Sequence, residues 1–253
     1  MRVIGGTFGG RRLRAAEGHA TRPTSDRVRE ALFSRIEARY GLDGATVLDV
    51  FAGTGALAIE ALSRGAHRAV CIELDRRALE TLRGNLRELD LVQKVRVIGD
   101  DYRRVLLKLA GEAVRPGTGG APAAGTGAAR VMRPTGATPA TRRRFDGIFL
   151  DPPYGKNLAV PALELVAQLG LLKPGGWVTM EVGRREDTPE VVAAASGVLE
   201  RVREDIYGDT KLALYEARRP ARDEAGSEAG GPVHETPAGD DAAGVAAPAM
   251  EIE

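Results

Sequence analysis

The sequence predicts a doubly wound, Rossmann-like α/β domain built on a mostly parallel sheet, and three observations predict it. Residues 45–50 read as a short apolar strand that runs into Phe51-Ala52-Gly53-Thr54-Gly55-Ala56-Leu57-Ala58, a glycine loop opening an apolar helix. Further apolar strands, at residues 69–72 and 95–98, each end in acidic residues. A fourth, at residues 147–150, runs into Asp151-Pro152-Pro153-Tyr154. Strands alternating with helices, with polar groups gathered after the strand ends, place a ligand site beyond the carboxyl edge of a parallel sheet.

Each element has its own local signal. A first helix is expected after Pro23, capped by Ser25 or Asp26, with Val28, Leu32 and Ile36 on one face. The helix after the glycine loop carries Leu57, Ala58, Ala61 and Leu62 at helical spacing and stops at Gly65. Asp75 reads as the N-cap of the next helix, and Asp101 as the cap of the one carrying Val105, Leu106 and Leu109. After the fourth strand, Leu163, Val166, Ala167 and residues 169–171 follow a helical pattern. Lys173-Pro174-Gly175-Gly176 reads as a turn before a strand at residues 177–182. A short helix is expected from Thr188 or Pro189 through Ala195. Residues 198–206 and 211–217 then alternate as an antiparallel pair.

Three segments define the expected organisation: a basic arm and helix over 1–40, a catalytic domain over 41–218, and a tail over 219–253. Residues 111–144 are Gly-, Ala-, Pro- and Thr-rich without apolar periodicity, so a disordered surface insertion is expected there. Residues 220–253 hold Arg222 against eight acids and few large apolar residues, which predicts disorder. The net charge of +1 conceals this segregation. Residues 1–40 hold Arg2, Arg11, Arg12, Arg14, Arg22, Arg27, Arg29, Arg35 and Arg39 against four acids. Arg11, Arg12, Arg14 and Arg27 are the candidate contacts to a nucleic-acid backbone; a solvated helix face is the alternative for the helical arginines. No leader sequence and no membrane-length apolar run is evident, and the single Cys71 and three His form no ligand cluster. A cytoplasmic protein without metal, acting as a monomer, is expected.

Charge assigns the ligands. Gly53-x-Gly55-x-x-Ala58 also fits a dinucleotide fingerprint, but Asp49 just before the loop would repel a pyrophosphate. An acid there suits a cofactor bearing an ammonium group, as the methionine end of S-adenosylmethionine does. Glu73, in preference to Asp75, is placed to accept ribose hydroxyls. Asp100, in preference to Asp101, is placed for the adenine amine. Asp151, the Pro152 carbonyl and Tyr154 make a compact set of acceptors beside a flat ring. Pro152 and Pro153 stiffen the backbone and donate no N–H. An exocyclic amine on a planar base fits this set, the Asp-Pro-Pro-Tyr signature of methyltransferases that modify base amines. On a stacking role alone, Tyr154→Phe is expected to be mild.

Beyond these motifs, the chain resembles the bacterial 16S ribosomal RNA guanine-N2 methyltransferases of the small ribosomal subunit over residues 2 to about 108 and 145 to about 218. The specific matches are Arg2-Val3-Ile4-Gly5-Gly6, Gly10-Arg11-Arg12-Leu13, the run from Arg22-Pro23-Thr24 to Ala31-Leu32-Phe33, and Tyr207-Gly208-Asp209-Thr210-Lys211. The resemblance implies a class I S-adenosylmethionine-dependent enzyme with a seven-stranded sheet ending in an antiparallel hairpin. It puts Phe51, Arg22 and Thr24 near the cofactor. It also implies 16S ribosomal RNA, or a small-subunit assembly particle, as substrate. An adenine-N6 methyltransferase and a non-catalytic ribosome-assembly module that keeps the fold are the alternatives.

Overall fold

The computed structural model describes residues 1–15, 26–112 and 144–218. All of these belong to one compact unit, Met1–Pro220; a second unit, Ala221–Glu253, lies outside them. The sites expected at Arg22 and Thr24, most of the 111–144 insertion and the 219–253 tail also lie outside the described residues.

Within that unit the helices are α1 (Asp26–Tyr40), α2 (Ala56–Ser63), α3 (Arg76–Glu88), α4 (Tyr102–Gly111) and α5 (Ala159–Leu169). The strands are β1 (Thr46–Asp49), β2 (Arg68–Ile72), β3 (Val95–Ile98), β4 (Phe145–Leu150), β5 (Leu172–Gly183), β6 (Val191–Ala194), β7 (Gly197–Tyr207) and β8 (Thr210–Arg218). They form one sheet in the order β3-β2-β1-β4-β5-β8-β7-β6. The first five strands of that order pair in parallel, and β8 then enters antiparallel to both β5 and β7.

Strand alternation divides the core. Val47, Ala69, Cys71, Phe149 and Trp177 pack with the apolar faces of α1, α2 and α3. Their neighbours in sequence, Leu48, Val70, Ile148 and Val178, pack with α4 and α5 on the other side. Helices on both faces bury both faces of the central strands, so these strands are continuously apolar. Helix α1 sits on the sheet through buried Val28, Leu32, Phe33 and Ile36. Its rings join an aromatic chain, with Phe33 5.6 Å from Phe149 and Phe149 5.1 Å edge-on from Trp177. Such pairs contribute about 0.5–1.5 kcal/mol beyond area burial.

Two sequence expectations change. The segment expected as a short helix over 188–195 holds strand β6, which pairs Val191 with Glu200 and Val192 with Leu199, so the sheet has eight strands instead of seven. The cause is local: two adjacent β-branched valines, Val192 buried and Val191 exposed, suit a pleat, and the run is too short to offset helix nucleation. The turn at residues 173–176 is an interruption inside one long strand. Phe145 pairs with Leu172 and Gly147 with Trp177, so those four residues bulge from the ladder of β5.

Candidate active site

The glycine loop begins where β1 ends. The Val50 N–H donates to Phe149 O at 3.1 Å and Ala52 N–H to Ile72 O at 2.9 Å, which ties the loop to the ends of β4 and β2. Gly55 closes a tight turn onto Ala52 O at 2.7 Å and caps α2 with φ +86°. A Cβ at Gly55 would lie 2.3 Å from Leu82 Cδ1 of α3, and the positive φ disfavours a side chain there whatever the space.

Asp49 is fully buried under this loop, at 1% exposure, and neither carboxylate oxygen has a hydrogen-bond partner. Burial pushes its pKa up to about 7, with the nearby Glu73 charge acting in the same direction. The Ala58 and Phe51 backbone amides pull it down, although neither makes a hydrogen bond of ordinary geometry with it. An acid left unsatisfied in the interior costs several kcal/mol unless a cation or donor meets it.

Glu73 reaches back to the same loop, its Oε2 accepting from Gly53 N–H at 2.7 Å. Its Oε1 accepts from the N–H groups of Leu74 and Asp75, both at 2.8 Å. Asp75 itself caps α3 by accepting from Ala78 N–H, as expected from its position. Asp101 likewise caps α4 through Arg103 N–H. Asp100 bonds to Asp101 N–H at 2.7 Å and to Arg104, which holds its pKa below the ordinary carboxylate range. Phe51, half-buried, tilts against Tyr102 with ring centroids 5.0 Å apart. The structure thus brings Asp49, Phe51, Gly53, Gly55 and Glu73 around one loop, with Asp100 at the end of the neighbouring β3.

Asp151, Pro152, Pro153 and Tyr154 leave the end of β4 beside this loop. Pro152 is buried and Asp151 half-buried, while Tyr154 is 41% exposed. The Tyr154 hydroxyl donates to Glu181 Oε1 at 2.6 Å. Burial, followed by that hydrogen bond, raises the phenol's pKa.

The arm folds as a small antiparallel loop in which Val3 N–H donates to Arg11 O and Leu13 N–H to Met1 O. It is fastened to α2 by Glu60, whose carboxylate accepts from Ile4 N–H at 2.7 Å and Gly5 N–H at 2.9 Å. Gly6, at φ +75°, lies so close that a Cβ would meet Ser63 O at 1.9 Å. Arg11, Arg12 and Arg27 are exposed. Arg14 is also exposed but pairs with Glu88, and Arg11 donates to Glu88 O at 3.3 Å. Arg29 departs from both readings of the helical arginines: it is 1% exposed and donates to Arg2 O and Asp26 Oδ1. Arg35 pairs with Asp205 at 2.7 Å.

Three polar residues escaped sequence reasoning. Glu60 is the lone acid of an apolar helix. Asn85 lies on the buried face of α3 with Leu82 and Leu86; it accepts from Arg14 N–H and donates to Thr54 O at 2.9 Å, joining the arm to the glycine loop. Glu181 stands in an apolar run of β5. In each case a single polar residue at a core position of the pattern was the available signal. Among the described residues no group of His, Cys, Asp and Glu could hold a metal ion, and no helix is long and apolar enough to cross a membrane.

The family described as "Conserved hypothetical protein 95" matches residues 1–115 and 128–216. A Bacillus subtilis (strain 168) protein named "Putative rRNA methyltransferase YlbH" is 35% identical over 86% of this chain and 100% of its own length. "Ribosomal RNA small subunit methyltransferase D" of Escherichia coli (strain K12) is 30% identical over 89% of this chain and 94% of its own. Among solved structures, "Putative methyltransferase yhhF from Escherichia coli" superposes with a TM-score of 0.64 at 29% identity, covering 88% of this chain and 99% of that one. The fold is therefore that of the α/β methyltransferases.

Proposed function

Since the chain belongs to the family described as "Conserved hypothetical protein 95", whose matched relatives include ribosomal RNA methyltransferases, we propose that it methylates the exocyclic N2 amine of a guanine in 16S ribosomal RNA, with S-adenosylmethionine as donor. The observation that carries this is the junction of two sites: the acceptors of Asp151 and Pro152 follow a strand whose Phe149 carbonyl accepts from Val50, the first residue of the glycine loop. The glycine loop and the Asp151–Tyr154 segment are therefore adjacent by construction of the sheet, which supports reading them as cofactor loop and amine site.

The unpartnered Asp49 carboxylate fits the cofactor's ammonium group, Glu73 its ribose hydroxyls and Asp100 its adenine amine, with Arg22 and Thr24 as additional contacts. Bound there, S-adenosylmethionine supplies an electrophilic sulfonium methyl. The guanine N2 lone pair is delocalised into the ring, so the protein must localise it. Asp151 and the Pro152 carbonyl accept from the amine, turn its lone pair outward and favour a pyramidal nitrogen. Positive charge developing on that nitrogen is stabilised by the Asp151 carboxylate. Tyr154 stacks on a base drawn out of its RNA context. The test is mass spectrometry of nucleosides from small ribosomal subunits of a strain lacking the protein, before and after treatment with it. N2-methylguanosine gained on treatment is expected. N6-methyladenosine would replace this reading with the adenine one, and no modification would leave the non-catalytic module.

The arm supplies the second expectation. Changing Arg11, Arg12 and Arg14 to Ala should weaken RNA binding and reduce the slope of log affinity against log salt by about 0.7–0.9 for each phosphate that is no longer neutralised. The Arg14–Glu88 pair is exposed, so it holds Arg14 with at most about 1 kcal/mol and yields to phosphate. A wild-type salt slope in the triple variant would remove the arm from the RNA interface.

A further inference from the structure

The Tyr154 hydroxyl has no role in stacking, yet it is held by polar partners on two strands. It donates to Glu181 Oε1 at 2.6 Å and lies 3.0 Å from Thr210 Oγ1. The two partners come from different strands. Glu181 lies in the carboxyl half of β5, opposite Leu212 of β8, and Thr210 opens β8 opposite Gly183. The turn before Thr210 is fastened in its own right, since Arg184 N–H donates to Asp209 O at 2.8 Å.

Glu181 is 5% exposed on β5, where it alternates with the buried Met180 and Val182 and pairs with the buried Leu212 of β8. A carboxylate buried there is unfavourable for folding unless its hydrogen bonds serve another purpose. Its bond reaches the far end of a side chain that is still 41% exposed. Holding a planar side chain at its para position restricts both of its rotatable bonds while leaving the π-face available. That is preorganisation of a stacking platform, which lowers the ordering cost of binding a planar ligand.

Resting on the reading of the Asp151–Tyr154 segment as a base-amine site, we propose that Glu181 and Thr210 are positioning residues that fix the Tyr154 ring before the base arrives. Neither touches the base. Their effect is to set the plane on which it stacks, and so the height at which its amine meets Asp151 and the Pro152 carbonyl. On stacking alone Tyr154→Phe is mild; with the hydroxyl as the fixing point it is not.

Steady-state methylation of small ribosomal subunits from a strain lacking the protein tests this with the full chain. Tyr154→Phe and Glu181→Ala should each lower kcat/KM for RNA about ten-fold, the loss expected for a hydrogen bond to a charged group, with S-adenosylmethionine affinity unchanged. Thr210→Val should act in the same direction, and Glu181→Gln, which keeps an acceptor, should recover most of the loss. The Tyr154→Phe/Glu181→Ala double variant should be no worse than either single one. Independent, multiplying losses would overturn the proposal, as would native kinetics in Tyr154→Phe. So would a Glu181→Ala defect confined to thermal stability and not relieved by Gln. If Glu181→Ala does not fold, Tyr154→Phe and Thr210→Val decide the matter by themselves. An active Asp151→Ala control, or a wild-type protein that modifies no base amine, overturns the parent reading instead. A dead Asp151→Ala beside independent losses overturns only the positioning role.

Discussion

Asp151→Ala is expected to leave S-adenosylmethionine affinity nearly unchanged and to lower turnover by on the order of a hundred-fold or more, the usual consequence of losing one preorganised transition-state interaction. The separation follows from where the residue sits. Asp49 ends β1, the glycine loop follows it and Glu73 follows β2, whereas Asp151 follows β4, whose Phe149 carbonyl accepts from Val50 N–H. Truncating the Asp151 side chain leaves that backbone bond intact. On the proposed reading, what disappears is the acceptor for the amine and the negative charge that meets the nitrogen as it becomes cationic. Because that interaction grows along the reaction, the loss should fall on kcat as well as kcat/KM. Single-turnover methylation with saturating RNA, alongside cofactor calorimetry, measures both sides. Turnover at the wild-type rate would show that the amine is held elsewhere.

The parts of this site legible in the sequence were those whose chemistry is local. The glycine loop, the acid at each strand end and the Asp-Pro-Pro-Tyr run follow their strands directly, so fixing the strands fixed the motifs. The caps at Asp75 and Asp101 were readable for the same reason, each bonding within three residues. Residues whose role depends on a distant partner were not. Glu60 meets Ile4 and Gly5 across more than fifty positions, Asn85 joins Arg14 to Thr54, and Glu181 meets Tyr154 across twenty-seven. Periodicity marks such residues only as polar misfits on an apolar face. Arg29 illustrates the converse error: a charged residue two positions after exposed Arg27 invites a solvent-facing reading, but it falls beside Val28 on the buried face of α1. The strand at 191–194 escaped because four residues carry too little periodic signal, and its pairing partner, β7, lies later in the chain.

Asp49 should make cofactor binding depend on pH in a way that identifies it. Its pKa, pushed up to about 7 by burial, means that the empty site is largely protonated below neutrality. An ammonium group favours the carboxylate, so binding below pH 7 must expel a proton, and affinity should fall by up to about ten-fold for each pH unit below that point. Above about pH 8 the ligand's own α-amino group loses its proton, which weakens the same interaction. The optimum therefore lies near pH 7–8. Asp49→Asn removes the acidic limb, and Asp49→Ala should cost about ten- to a hundred-fold in affinity at pH 7.5, as should Glu73→Ala. The stability of the ligand-free protein carries the opposite sign. A raised folded-state pKa contributes stability that is fully present below the ordinary value of 3.8 and is lost as pH rises to about 7. Asp49→Asn should therefore gain on the wild type in urea midpoint across that window while losing cofactor affinity at its upper end. Calorimetric titrations of S-adenosylmethionine between pH 5.5 and 9, in buffers of different ionisation enthalpy, report both affinity and proton release. A flat profile with no proton exchange, or an Asn variant binding as tightly as the wild type, would remove Asp49 from the cofactor site.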